Sequence, residues 1–108
     1  MTEGGMPDMS ALLAQAQQMQ NTLLAAKDEL AAARVTGSAA SGLVTATVTG
    51  TGSLVSLDIR REAVDPDDTE TLADMVVAAV RDATDNAEAL ASERLGGLAG
   101  GFGGELGI

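Results

Sequence analysis

The sequence predicts an α+β protein of helix–three strands–helix order (α-β-β-β-α), built as two layers and paired with a second copy of itself. Three observations predict it. From Met9 to Arg34 there is no Gly or Pro, and apolar residues recur at helical spacing. From Val35 to Arg60 the period shortens to two, with glycines as punctuation. A second helical pattern then runs from an acidic, Pro-containing opening to Leu95.

The first helix is dominated by Ala, Leu, Gln and Met, all good helix formers. Asp8 supplies a cap residue before it. Met9, Leu12, Ala16, Met19, Leu23, Ala26, Leu30 and Ala33 recur at alternating steps of three and four, an unbroken heptad stripe. At 1.5 Å per residue this helix is roughly 39 Å long. Three short strands do not cover that length, so part of the stripe is expected to meet another helix.

The middle of the chain reads as an antiparallel meander. In Leu43–Thr49, Val44, Ala46 and Val48 face one way and Thr45, Thr47 and Thr49 the other. In Ser53–Arg60, Val55, Leu57 and Ile59 share a face opposite Ser56, Asp58 and Arg60. Gly50-Thr51-Gly52 marks the hairpin between them. Val35–Ala39 is a poorer first strand, closed by the turn Ala40-Ser41-Gly42.

Val64-Asp65-Pro66-Asp67-Asp68 opens the second helix. A cap-type Asp, a Pro and acids in the first turn suit unpaired N–H groups and the positive end of the dipole. Leu72, Val76, Ala79, Ala83, Ala87 and Leu90 mark its apolar face, widened by Met75 and Val80. The helix is expected to end near Leu95, before Gly96-Gly97. The organisation is thus a flexible leader (1–7), one domain (8–95) and a flexible Gly-rich tail (96–108).

Composition narrows the function. The chain has 108 residues and a single aromatic, Phe102, which lies in the tail. Its core rests on Leu, Val, Met, Ile and much Ala. The apolar transfer term, about 25 cal/mol per Å², is therefore thin for one chain, and a second copy is the simplest remedy. Cys, His, Tyr and Trp are absent. Without them there is no thiolate metal site and little acid–base chemistry near neutral pH, so neither catalysis, metal nor cofactor is expected. The acids at 65–68 lack calcium-loop spacing and read as helix capping. There is no basic leader followed by an apolar run and no stretch of about 18 apolar residues, so neither a signal peptide nor a membrane span is expected.

The assembled segments resemble the YbaB/EbfC family of bacterial nucleoid-associated proteins. The resemblance is carried by Leu12-Leu13-Ala14-Gln15-Ala16-Gln17-Gln18-Met19-Gln20, by Val35-Thr36-Gly37, and by Gly42-Leu43-Val44 through Val48-Thr49-Gly50. Asp65-Pro66-Asp67-Asp68-Thr69-Glu70-Thr71-Leu72-Ala73-Asp74, with Ala78-Ala79 and Asp82-Ala83, extends it over roughly residues 8–95. The resemblance implies a tight homodimer whose sheets sit together and whose long helices project like tweezers. It also implies binding of double-stranded DNA with little sequence preference, a role in nucleoid organisation and gene expression, and a place in the cytoplasm on the nucleoid. Three departures stand out. Family members often carry lysines along the first helix, where this chain has only Lys27, and a Lys in the second strand where this chain has Thr45. An Asp-Pro often follows the third strand, where this chain has Arg60-Arg61.

Charge sets the terms for DNA. The net charge is −10, so a dimer carries twice that, −20. Long-range steering toward phosphate is unfavourable. Contact then depends on local cations within about a Debye length, near 8 Å at physiological salt. The candidates are Arg60, Arg61, Lys27, Arg34 and Arg94. Lys27 and Arg34, seven apart, are expected on one stripe of the first helix; both also suit a helix C-terminus. The candidate dimer surface is Met9, Leu12, Ala16, Met19 and Leu23 with Leu43, Val44, Ala46 and Val48. Binding is expected to be modest and salt-sensitive. Two other readings stay open: a dimeric protein–protein adaptor with weak or no DNA affinity, and DNA binding only with a basic partner or at high local concentration.

Overall fold

Asp8 begins the first helix in the way its position predicts. Its Oδ1 accepts from the Ser10 N–H at 3.0 Å, which satisfies one of the unpaired donors of the first turn. In the computed structural model, which describes the backbone of residues 8–105 and the side chains of 8–97, this helix (α1) spans Met9–Ala32. Three strands follow, β1 (Arg34–Ala39), β2 (Val44–Thr49) and β3 (Leu54–Ile59), then a long helix α2 (Thr69–Glu105). The helix–three strands–helix order is as the sequence predicts. The leader at 1–7 lies outside the described residues.

The sheet is antiparallel in the order β1-β2-β3. Val35 lies opposite Val48, Gly37 opposite Ala46 and Ala39 opposite Val44. On the other side Val44 faces Ile59, Ala46 faces Leu57 and Val48 faces Leu54. The register slips at Thr47/Val48, leaving Val55 as an extra residue. The expected Val55–Leu57–Ile59 face is therefore replaced: Leu54, Leu57 and Ile59 are the residues level with the buried face of β2.

That buried face is the core. Val44, Ala46 and Val48 are inaccessible to water and pack against Ala79, Ala83 and Ala87 of α2. Leu72, Met75, Val76 and Val80 border this cluster. The alanine stripe lets the helix come very close to the sheet. A Cβ at Gly37 would overlap the backbone of Asp82 and Ala83, so only glycine fits there. Gly50 plays the same part for α1. Its N–H donates to the Leu30 carbonyl at 2.9 Å, and a Cβ would meet that oxygen at 2.5 Å.

α2 lies over β1 and β2, and β3 is left outside this layer. Two α2 side chains also close the outer edge of β1. Asp82 Oδ2 accepts from the Ser38 N–H at 2.9 Å, and the Asn86 amide donates to the Thr36 carbonyl at 2.9 Å. Among the described residues, no side chain covers the edge of β3 in this way.

The start of α2 differs in detail from expectation. Asp65 accepts from the Asp67 N–H at 3.0 Å in a turn, and the cap is Asp68, which accepts from the Thr71 N–H at 3.1 Å. The helix also passes its expected end near Leu95 and continues through Gly96 and Gly97 to Glu105. Glycine costs a helix about 1 kcal/mol relative to alanine, but it does not block the backbone hydrogen bonds as proline does.

Candidate nucleic-acid interface

The five candidate cations do not form one patch. Arg34 lies beyond the end of α1, in β1, not on a shared stripe with Lys27. Its guanidinium donates to the carbonyls of Ala31, Ala32 and Ala33 at 3.4, 3.3 and 3.2 Å. It therefore sits on the negative end of the α1 dipole. Arg94 reaches from α2 to Glu29 of α1 at 2.8 Å, the one ion pair among the described residues. Lys27 lines a cleft formed by the base of α1, the Gly50–Gly52 turn and the Thr84–Leu95 stretch of α2. These three cations share one end of the sheet with acidic or carbonyl partners beside two of them.

Arg60 and Arg61 lie at the other end. β3 runs the length of the sheet from the Gly50–Gly52 turn to Ile59, so the pair stands about 20 Å away, the length of a six-residue strand. The Arg60 N–H donates to the Leu43 carbonyl at 2.8 Å, which fixes the backbone where β3 ends. Arg61 begins a short 3-10 turn, Arg61–Ala63. Both residues are exposed and pair with no acid among the described residues. They are adjacent, exposed cations on a fixed backbone, of the residue type that contacts phosphate.

The apolar surfaces are as uneven as the charges. Met9, Leu12, Leu13, Met19, Leu23 and Leu24 on α1 are between 42% and 69% exposed. On α1, only Leu30 is buried. All six residues of β3 are exposed, with Leu54, Val55, Leu57 and Ile59 between 38% and 52%. Val44, Ala46 and Val48 offer nothing to a second copy. An apolar strand face looks the same in sequence whether a partner or the chain's own helix covers it, and here α2 covers it. Leu43 borders the same core. Of the nine candidate dimer residues, those on α1 remain uncovered. Leu54, Leu57 and Ile59 of β3 are uncovered as well; their signal in the sequence is the apolar content of a strand that lies beyond the width of one helix.

No group of acidic residues suited to a metal ion occurs among the described residues. No described helix is long and apolar enough to cross a membrane. Among the described residues the molecule presents a projecting first helix, an apolar outer strand and a surface arginine pair.

The chain belongs to the YbaB/EbfC DNA-binding family, whose model matches residues 6–102. It is 62% identical over 104 residues to a nucleoid-associated protein of Rhodococcus jostii, covering 96% of this chain and 92% of that one. It is 60% identical over 105 residues to a nucleoid-associated protein of Streptomyces griseus, covering 97% and 92%. The fold matches the crystal structure of an uncharacterised Helicobacter pylori protein with a TM-score of 0.69 at 22% identity, covering 90% of this chain and 98% of that one.

Proposed function

We propose that this chain is a DNA-binding, nucleoid-associated protein that acts as a homodimer without catalysing a reaction. On this reading it resides in the cytoplasm, on the nucleoid. The family match over residues 6–102 carries the reading. Relatives named nucleoid-associated proteins, 53–62% identical over most of the chain, support it.

The physical chemistry of the surface gives the reading its form. Arg60 and Arg61 supply the phosphate contact, and a two-fold axis doubles them. The dimer forms through β3. Among the described residues its edge groups have no partner, while Asp82 and Asn86 close the edge of β1, and its core-level residues Leu54, Leu57 and Ile59 lack the cover that α2 gives β2. The high negative charge keeps affinity modest, because only local cations oppose it.

A titration of mixed-sequence duplex followed by fluorescence anisotropy tests this. Four phosphates contacted per dimer give a slope of log K against log salt of about −3.6, or a loss of about 150-fold between 50 and 200 mM salt. Arg60→Ala with Arg61→Ala is expected to weaken binding evenly across sequences and to flatten that slope toward zero. No binding at low salt would reject the reading in favour of the adaptor. The charge-free N-terminal part of α1 suits that adaptor role.

A further inference from the structure

Every residue of α1 from Met9 to Ala25 is exposed. A helical stretch of this length with no tertiary packing is marginal in water, however good its propensities. Its stripe of Met9, Leu12, Ala16, Met19 and Leu23 therefore asks for a partner. Charge identifies which one. From Met9 to Ala26 there is no Asp, Glu, Lys or Arg. Without a cation this stretch releases no counterions from DNA, so phosphate gains little there. For a chain of net charge −10, this is the surface on which two copies meet without repulsion.

We propose that the α1 arms of two copies pair antiparallel along this stripe, with the two-fold axis between Gln17 and Gln18. The spacing of three and four reads the same in reverse about that point. Met9 of one arm then lies level with Ala26 of the other, Leu12 with Leu23, and Ala16 with Met19. Two of the three layers set a large side chain against an alanine, which fills the seam evenly. A parallel, in-register pair instead stacks Ala16 on Ala16 and Met19 on Met19, alternating gaps with crowding. It also brings both acidic bodies to one end. The antiparallel seam is about 27 Å long and holds them at opposite ends, more than two Debye lengths apart.

This contact is separate from the β3 pairing of the proposed dimer, because it leaves the two sheets at opposite ends of the arms. A dimer joined through β3 carries two arms. Arm pairing then links dimers into open-ended chains, and this consequence, unlike the seam itself, rests on the dimer reading. Chains of that kind bring separate DNA segments together.

The chain has no cysteine, so engineered thiols report the seam directly. Full-length Ala16→Cys and Met19→Cys chains are mixed in equal amounts and oxidised. The 16–19 cross-link is expected in large excess over 16–16 and 19–19, and Leu23→Cys alone is expected to cross-link poorly. Cross-linking of Leu23→Cys to itself with no 16–19 excess would overturn the antiparallel seam. Sedimentation adds the assembly. Wild-type protein is expected to form species above twice 10.8 kDa that grow with concentration. Met19→Glu with Leu23→Glu is expected to stop at twice that mass, with its sheet signal in circular dichroism retained. A wild-type size distribution in this folded variant would also overturn the proposal. Leu57→Glu separates the two contacts. If it removes the larger species and keeps the 16–19 cross-link, the arm seam stands apart from β3. If it changes nothing while the arm variant becomes monomeric, the β3 dimer fails and the arm seam survives.

Discussion

Gly37 and Asp68 show how single residues set this fold. Gly37 looks like strand punctuation in the sequence, yet it sits in mid-strand, where the backbone of α2 lands on the sheet. Gly37→Ala forces the helix away from Val44 and Ala46 and is expected to cost about 1–3 kcal/mol, as other overpacked cores do. Chemical denaturation followed by circular dichroism measures it, and a variant as stable as wild type would contradict this close approach. Asp68 caps α2 from the surface. Its carboxylate accepts from the Thr71 hydroxyl at 2.6 Å and from the Thr71 N–H, and these bonds hold its pKa below the usual carboxylate value. The charged form is thus favoured in the folded state. Its contribution is full above the unfolded pKa and is lost as pH falls through the lower, folded one. Asp68→Ala is therefore expected to melt earlier than wild type at pH 7, with the gap narrowing as pH falls below the ordinary carboxylate pKa. A gap that stays constant across that range would show that the carboxylate charge plays no part.

At the scale of elements, periodicity made most of the architecture legible. The Val44–Ala46–Val48 alternation and the Ala79–Ala83–Ala87 stripe are each visible in sequence, and the structure places them face to face. What periodicity does not carry is the identity of the covering layer. The same alternation that marks β2 as half-buried is equally compatible with a partner's sheet, so Val44, Ala46 and Val48 read as interface residues. The bulge at Val55 is hidden for a related reason: one extra residue moves Leu54 to the buried level without disturbing the apolar composition of β3. The end of α2 was misplaced because Gly96-Gly97 weakens a helix without stopping it. The cations were legible as a list but not as a site. Seven-residue spacing puts Lys27 and Arg34 on one stripe only while the helix lasts, and α1 ends at Ala32. Arg94 was spent on Glu29 across a gap of 65 positions that no local pattern reports.

The whole molecule ties these pieces to its assembly. A core of alanine and valine beneath one helix, with β3 uncovered and α1 projecting, buries little apolar surface in one chain. If a second copy supplies the missing burial, folding and association are one equilibrium, and stability depends on protein concentration. The size of that dependence follows from mass action. A tenfold rise in concentration adds about 1.4 kcal/mol to a folded dimer relative to two unfolded chains. A folded unit of two such chains falls in the size range where each kcal/mol moves Tm by about 2–4 °C. Thermal unfolding is therefore expected to rise by about 3–6 °C for each tenfold increase in concentration, measured across the micromolar range by circular dichroism. Leu57→Glu, which sets two charges at the proposed β3 contact, is expected to lower Tm and flatten the dependence. A wild-type Tm independent of concentration would mean that the thin core suffices alone, and the dimer would lose its energetic basis.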